Sequence, residues 1–266
     1  MNSGSAKGAF SWQAVALTDI GRVRRLNEDA LLARSDIGHF VVADGMGGHT
    51  GGDVASQRLV CALSQLVPGE DFALFVEQLE DCLLGVNAEL LDRVAGTEQL
   101  IGTTVAGLLL HQGFYLIYWC GDSRIYLFRD GRLRQQTVDH SYTQALVEQG
   151  RLRPDQVRQH PDNNMITRAV GADRQLFVDM DLRNLQAGDQ FLICSDGLDK
   201  ELDEKEIEAW LTQGQSQGPS QGESQRQGGI AATAQNLLDR ALARGGRDNV
   251  TLILVNLVPA LPGAQG

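Results

Sequence analysis

Cysteines and long apolar stretches are both scarce in this chain, and each shortage excludes a class of protein. The four cysteines, at positions 61, 82, 120 and 194, are widely separated and form no Cys-x-x-Cys pair, so we interpret them as reduced thiols in the packed interior. No apolar run approaches the roughly 18 residues of a membrane span, and the opening MNSGSAKGAF lacks the apolar segment of a signal peptide. We therefore expect a cytoplasmic protein that does not contact a membrane.

Positive charge is scarce as well. The chain contains 23 Lys and Arg against 34 Asp and Glu, a net charge of -11, and the acidic residues are scattered rather than gathered in a tail. Binding to a phosphate backbone requires clustered basic side chains, so we expect no nucleic-acid partner. At 266 residues the chain can bury a sizeable core. We expect a monomer with a single domain, whose core covers residues 10–258.

Short apolar segments that follow one another closely predict antiparallel strands, at 11–18, 39–44, 101–110, 114–120, 125–130, 188–195 and 249–257. Helical spacing of apolar residues predicts helices over 53–67 and 72–94, and near 203–212 and 229–243. Strands outnumber helices, which favours an α+β fold of antiparallel sheets packed together, with helices on the outer faces. Residues 212–229 are almost entirely Gln, Gly and Ser, which predicts a flexible surface loop.

Acidic residues recur where the predicted strands begin or end. The stretch VVADGMGGHTGG leads a buried strand straight into Asp44, and four further segments, NED, GDSR, SDGL and RDNV, deliver Glu28 with Asp29, Asp122, Asp196 and Asp248 in the same way. One such acid is usually a turn former. If the strands lie side by side, however, all of these acids meet at one rim, where they repel one another unless cations lie among them. The sequence therefore predicts a metal site.

The predicted ligands are all oxygen donors, which indicates Mg²⁺ or Mn²⁺. Calcium remains open, although no EF-hand loop is present. Because it has no side chain, Gly45 would let the backbone bend sharply and bring its own carbonyl to the metal beside the Asp44 carboxylate. One acid can then bridge two ions roughly 3.5–4 Å apart, an arrangement that activates a hydroxide for in-line attack on phosphorus.

Such a reaction also needs a cation for the phosphate oxygens and an acid for the leaving oxygen. Arg24, in VRRLNED, is the candidate for the phosphate, with Arg25 as its rival, because a guanidinium matches two oxygens at once. His49 follows Asp44 in the glycine-rich stretch and is the candidate acid. A serine hydrolase built on Ser123 or Ser195 is excluded, since neither lies in Gly-x-Ser-x-Gly.

Taken together, these motifs resemble those of the metal-dependent serine/threonine protein phosphatases, the phosphatase 2C-like or PPM family, in its compact bacterial form. The matching segments, in family order, are RxxNED (24–29), DGMGGH (44–49), GTT (102–104), GDSR (121–124), DHS (139–141), SDGL (195–198) and DNVT (248–251). The resemblance implies a sandwich of two antiparallel sheets flanked by helices, in the order α-β-β-α. It also implies hydrolysis of phosphoserine and phosphothreonine on proteins that a kinase has modified, in signal transduction.

The resemblance further assigns roles to single residues. Asp44 would bridge two Mn²⁺ or Mg²⁺ ions, with Asp196 and Asp248 completing one ion. The Gly45 carbonyl and, through water, Glu28 would serve the other.

Asp122 would help Asp196 to hold a third, weaker ion. Arg24 would bind phosphate, His49 would be the general acid, and Asp29 would support the ligands from behind.

Residues 142–171 resemble the mobile flap of the family, followed by its TRAxG strand. His140 and His160 are then interpreted as structural. The chain departs from many relatives after SDGL, where it reads DKELDEKEIEA instead of a threonine and a less charged run, and in the loop at 212–229.

Two other functions remain as alternatives. One is a catalytically weak, phosphoprotein-binding relative, which would be expected to have lost a metal ligand. The other is a metal hydrolase of small phosphate esters or phosphodiesters.

Overall fold

Two six-stranded antiparallel arrangements form the centre of the molecule. The computed structural model describes residues 2–5, 10–47, 51–69, 71–216 and 223–259. In this part of the chain, the strands are β1 (Asn2–Ser5), β2 (Phe10–Asp19), β3 (Asp29–Arg34), β4 (His39–Gly47), β5 (Ile101–Thr103), β6 (Val105–His111), β7 (Phe114–Cys120), β8 (Arg124–Arg129), β9 (Arg132–Gln135), β10 (Asp179–Asn184), β11 (Gln190–Cys194) and β12 (Val250–Pro259).

The helices lie outside these sheets. They are α1 (Gly52–Ser64), α2 (Phe72–Arg93), α3 (Tyr142–Glu148), α4 (Asp196–Asp199), α5 (Glu204–Ser216) and α6 (Glu223–Arg244), and a 3-10 helix covers Pro154–Gln159. Among the described residues, none of these helices has the length and apolar character needed to cross a bilayer.

One sheet has the strand order β1-β2-β12-β11-β8-β9, and the other has the order β10-β7-β6-β4-β3, with β5 pairing to β4. A core that includes Trp12, Phe40, Ile117 and Ile253 lies between the two sheets. A second core joins the first sheet to α4, α5 and α6, and a third joins the other sheet to α1 and α2. The predicted α+β sandwich with outer helices is confirmed.

Burial on both faces explains why the central strands are continuously apolar. Strand β7, FYLIYWC, packs against the sandwich core on one side and against the layer of α1 and α2 on the other, so that every residue after Phe114 is buried. At the sheet edge, β9 alternates between exposed and half-buried residues. The predicted strand at 114–120 therefore coincides with β7.

Two local expectations are wrong. Helix α5 continues to Ser216 and α6 begins at Glu223, so that the predicted flexible loop at 212–229 is helical over 212–216 and 223–229; residues 217–222 lie outside the described residues. Gln and Ser have fair helix propensity, and the packing of the apolar side of each helix overrides the glycines. The TRAxG segment is not a strand, because Val170 makes only an isolated bridge with Thr103.

Candidate active site

Seven of the eight predicted site residues line one cleft of about 260 Å³ at the end of the sandwich: Arg24, Glu28, Asp44, Gly45, Asp122, Asp196 and Asp248. The eighth, His49, lies outside the described residues. Arg25, the rival to Arg24, does not line the cleft. The fold therefore brings together residues that are far apart in the sequence, as their positions at the strand ends predict.

The main chain of Asp44 is fixed by two threonines of the GTT motif. Its amide donates to Thr104 Oγ1 at 2.9 Å, and its carbonyl accepts from Thr103 Oγ1 at 3.0 Å and from the Thr104 amide at 2.8 Å. The Thr104 hydroxyl also pairs with Ser123 Oγ at 2.6 Å, which connects the GTT and GDSR motifs. The sequence analysis included the GTT motif in the resemblance but did not assign this role to its threonines.

Gly45 is required for close approach, and the expectation of a sharp bend at this residue is wrong. Strand β4 continues through Gly45 to Gly47 and pairs with β5. A Cβ on Gly45 would lie 2.0 Å from the Gly52 carbonyl oxygen and 2.6 Å from that of Glu28, whereas its amide donates to the Glu28 carbonyl at 3.0 Å. Only glycine allows β4, the start of α1 and the Glu28 segment to meet here.

The segment that carries Arg24 and Glu28 is held by Asn249. Its Nδ2 donates to the carbonyls of Ile20 and Leu26, at 2.9 and 3.0 Å, and its Oδ1 accepts from the Glu28 amide at 2.8 Å. Asn249 follows Asp248 directly in the DNVT motif, but sequence reasoning gave it no role.

Arg24 reaches across the cleft to Asp248, with 2.7 Å between Nη2 and Oδ2. This hydrogen bond is the main reason that the pKa of Arg24 is raised. The Arg24 side chain is 49% exposed and lines the cleft, so it is accessible to a ligand.

Asp196 begins α4 directly after β11. Its Oδ2 forms an ion pair with Lys200, one turn later, whereas its Oδ1 is buried without a hydrogen-bond partner. Asp29 lies behind the cleft, where its Oδ2 accepts from Ser195 Oγ at 2.7 Å and its Oδ1 is buried and unpartnered. Asp29 is therefore connected to the residue that precedes Asp196.

Burial and mutual repulsion dominate the electrostatics of the cleft. Burial, followed by the charges of Asp29, Asp196 and Asp122, raises the pKa of Asp44 well above its usual value. Burial also raises the pKa of Asp122, with Asp196 as the next cause, and raises the pKa of Asp29 to about 7. Such shifts mean that ionised carboxylates are unstable here unless cations compensate them.

The donor set fits hard divalent ions, because it consists of carboxylate oxygens with a carbonyl and has no soft ligand. As the side chains stand, no three His, Cys, Asp or Glu residues in the described ranges are close enough to surround an ion. Arg24 and Lys200 instead neutralise Asp248 and Asp196. The unpartnered oxygens of Asp29 and Asp196 show that this neutralisation is incomplete.

The flap-like segment contributes Asn164 and Ile166 to the cleft wall. It is fastened by Arg158, whose Nη2 donates to the carbonyls of Asp199 and Leu202 at 2.5 and 2.8 Å, just beyond Asp196. Sequence reasoning missed Asn164 and Arg158, because polar residues in an irregular segment carry no periodic pattern.

The other two histidines considered do not line the cleft. His140 is buried, accepts from the Gly121 amide at Nδ1 (3.1 Å) and lies 3.3 Å from Asp179 Oδ2 through Nε2. Burial lowers the pKa of His140, which favours the neutral ring. His160 accepts from the Asp162 amide at 3.2 Å, a local turn contact.

Comparison with known proteins identifies the family. The protein phosphatase 2C profile matches residues 22–228, and the chain therefore belongs to the protein phosphatase 2C family. The serine/threonine protein phosphatase PstP of Mycobacterium tuberculosis is 35% identical over 246 residues, which are 91% of this chain and 44% of PstP. The serine/threonine phosphatase stp of Listeria monocytogenes is 34% identical over 247 residues, 90% of this chain and 93% of stp. This chain thus spans less than half of the mycobacterial relative.

Solved structures agree with this assignment. PppA, a regulatory component of the T6SS in Pseudomonas aeruginosa, superposes with a TM-score of 0.78 at 32% identity, covering 96% of this chain and all of PppA. The catalytic domain of PstP in complex with two manganese ions superposes with a TM-score of 0.77 at 32% identity, covering 93% of this chain and 98% of that domain. The resemblance to the PPM phosphatases is confirmed.

Proposed function

We propose that this chain hydrolyses phosphoserine and phosphothreonine in proteins at a centre of two Mn²⁺ or Mg²⁺ ions. The observation that carries the proposal is the convergence of Glu28, Asp44, Asp122, Asp196 and Asp248 on one cleft. Burial in this cleft opposes the ionisation of Glu28, Asp44 and Asp122. The relatives named as serine/threonine phosphatases, and the PstP domain with two manganese ions, support it.

In this proposal Asp44 would be a ligand of both ions, and Asp196 and Asp248 would be the further ligands of one of them. The Gly45 carbonyl and, through water, Glu28 would hold the other. When bound, the ions supply an activated hydroxide and neutralise charge on the phosphate. The unpartnered, buried Oδ1 of Asp196 suits a ligand atom that awaits a cation.

Arg24 holds the phosphate oxygens in our proposal. The half-exposed Arg24 side chain lies at the cleft and forms an ion pair with Asp248. To bind the phosphate it has to leave Asp248, which requires only a short movement of the side chain. His49 supplies the proton to the leaving serine or threonine oxygen. Asn164 and Ile166 of the flap-like segment then contact the peptide that carries the phosphate.

Substrates of a serine/threonine kinase, a cytoplasmic location and a monomeric state belong to the same proposal. The binding module is less well supported, because every predicted carboxylate ligand is present at the cleft. The small-ester hydrolase is less well supported, because the relatives are named as serine/threonine phosphatases.

The proposal is tested by assaying chelator-treated protein on a phosphothreonine peptide, with Mn²⁺, Mg²⁺ or Ca²⁺ restored separately. We expect no turnover without metal and recovery with Mn²⁺ or Mg²⁺. A phosphodiester, assayed in parallel, should be a poor substrate. Peptide binding without turnover under every metal would support the binding module instead, and preference for the diester would support the small-ester hydrolase.

A further inference from the structure

Lys200 places a fixed positive charge inside the cleft. It follows α4 directly, its amide donates to the Asp196 carbonyl at 2.9 Å, and its ammonium group pairs with Asp196 Oδ2. The side chain is 29% exposed and lines both the main cleft and a smaller adjoining cavity of about 40 Å³. A short helix on a buried strand thus holds this lysine in place.

Lys200 is also a basic group in the surroundings of Asp122. The two residues line the same two cavities, and the Asp122 side chain makes no hydrogen bond or ion pair within the described ranges. Arg124, which lines the smaller cavity, is already engaged with Asp139 at 2.6 Å and with Asp199 at 2.9 Å. Lys200 is thus a positive charge that lies beside Asp122 in both cavities and pairs with Asp196.

The two carboxylate oxygens of Asp196 lie in different surroundings. Oδ2 is taken by Lys200, whereas Oδ1 is buried without a partner and free for an ion of the dinuclear centre. A second metal ion on the Oδ2 side would have to displace the ammonium group, and a divalent cation beside an ammonium ion is repelled.

We infer that the Lys200 ammonium group occupies the position between Asp122 and Asp196 where a third, weaker metal ion would otherwise bind. This inference rests on the proposed dinuclear centre and extends it. Lys200 is then a positioning residue, which holds Asp196 for one core ion and removes the need for a third. The enzyme accordingly saturates with two ions, and Asp122 contributes to the charge balance around Lys200.

The test counts bound Mn²⁺ by equilibrium dialysis and by calorimetric titration, without substrate. The wild type is compared with Lys200→Met, which removes the charge but keeps most of the chain length, and with Lys200→Arg, which keeps the charge. Lys205→Met is the matched control, because Lys205 is an exposed residue of the neighbouring helix α5. A separate titration with Mg²⁺ is followed by NMR on protein labelled with 13C-lysine. Lysine occurs only at positions 7, 200 and 205, so the Lys200 signal can be followed.

We expect two ions in the wild type, in Lys200→Arg and in Lys205→Met. Lys200→Met should gain a third ion whose affinity is at least about tenfold higher than any further binding to the wild type. The Lys200 NMR signal should keep its paired environment when the wild type is saturated with Mg²⁺.

Three ions in the wild type, or an unchanged count in a folded Lys200→Met variant, would overturn the inference while leaving the dinuclear centre intact. If Lys200→Met does not fold, the wild-type ion count and the Lys200 signal decide alone. Failure of the wild type to bind any Mn²⁺ would instead contradict the proposed function.

Discussion

At the scale of single residues, charge decides how the cleft works. Asp44 lies among Asp29, Asp122, Asp196 and Asp248, and burial together with these negative charges opposes its ionisation. An apolar residue at these positions would be more favourable for stability alone, because an unpaired buried charge is strongly destabilising. We therefore explain the buried carboxylates by the cations that we propose they bind.

The first prediction concerns Asp44→Asn. The amide keeps the shape and the main-chain contacts with Thr103 and Thr104, but it lacks the charge that allows one side chain to hold two cations. We expect loss of at least one metal ion and near-complete loss of turnover, with the fold retained. Calorimetric Mn²⁺ titration and circular dichroism check this. Asp36→Asn, at an exposed acid paired with Arg34, is the control and should bind as the wild type does; wild-type stoichiometry in Asp44→Asn would contradict the bridging role.

The second prediction concerns His49→Ala. A serine alkoxide is a poor leaving group unless protonated, whereas a nitrophenolate leaves without help. At saturating metal, the variant should lose roughly 10²–10⁴-fold in turnover on a phosphothreonine peptide and much less on para-nitrophenyl phosphate. Equal losses on the two substrates would indicate a positional or metal-supporting role, and no loss would make His49 an ordinary loop residue.

At the scale of elements, the cleft depends on contacts between distant segments. Asn249, at the start of β12, makes three side-chain hydrogen bonds to the segment between β2 and β3. The segment that carries Arg24 and Glu28 has no regular structure of its own, and its position therefore depends on this asparagine.

The third prediction is that Asn249→Ala lowers the free energy of unfolding by about 2–4 kcal/mol, because three hydrogen bonds are lost and buried groups stay unsatisfied. It should also raise the KM for peptide, as Arg24 is no longer held at the cleft. Denaturant unfolding and steady-state kinetics measure both effects. The matched control is Asn256→Ala, in the strand β12 that Asn249 directly precedes, because the Asn256 Oδ1 has no partner and its loss should change little. Similar effects of the two variants would disprove the role of Asn249.

The buried strands could be predicted because the sandwich covers both of their faces. Strand β7, the first half of β4 and strand β11 are visible as apolar runs, each of which leads within two residues to an Asp. Strand β10 was missed, because DMDLRN is half-exposed at a sheet edge and looks polar. Its strand conformation comes from pairing with β7, a tertiary effect that local sequence does not contain.

Parts of the candidate site were equally hidden from the sequence. The carboxylates stood out because the same placement occurs in five segments, whereas Lys200, Arg158 and Asn249 act through single contacts with distant backbone or side chains. Only the fold shows that Lys200 pairs with Asp196 and that Arg158 ties the flap-like segment to the end of α4.

At the scale of the whole molecule, the two sheets bring the acidic residues of the cleft together. Their mutual repulsion and burial destabilise the folded chain when no metal is bound. Asp29 has a pKa near 3.8 when unfolded and about 7 in the folded chain, and the pKa values of Asp44 and Asp122 are raised in the same direction. Between these values the folded, metal-free chain binds more protons than the unfolded chain. The titration of Asp29 should therefore lower the free energy of unfolding of the metal-free chain as pH rises from about 4 to about 7, and the raised pKa values of Asp44 and Asp122 act in the same direction.

The fourth prediction follows from that sign. Divalent ions favour the ionised carboxylates, so the stabilisation by Mn²⁺ should be small near pH 4 and grow as pH rises through the raised pKa values of the cleft carboxylates. Thermal unfolding of the metal-free and the Mn²⁺-saturated protein, at each pH, measures the difference between the two melting temperatures. Asp29→Asn removes one of the titrating groups and should make the pH dependence of the metal-free protein shallower. A difference that is equal at every pH would show that the acids of the cleft are not what the metal neutralises.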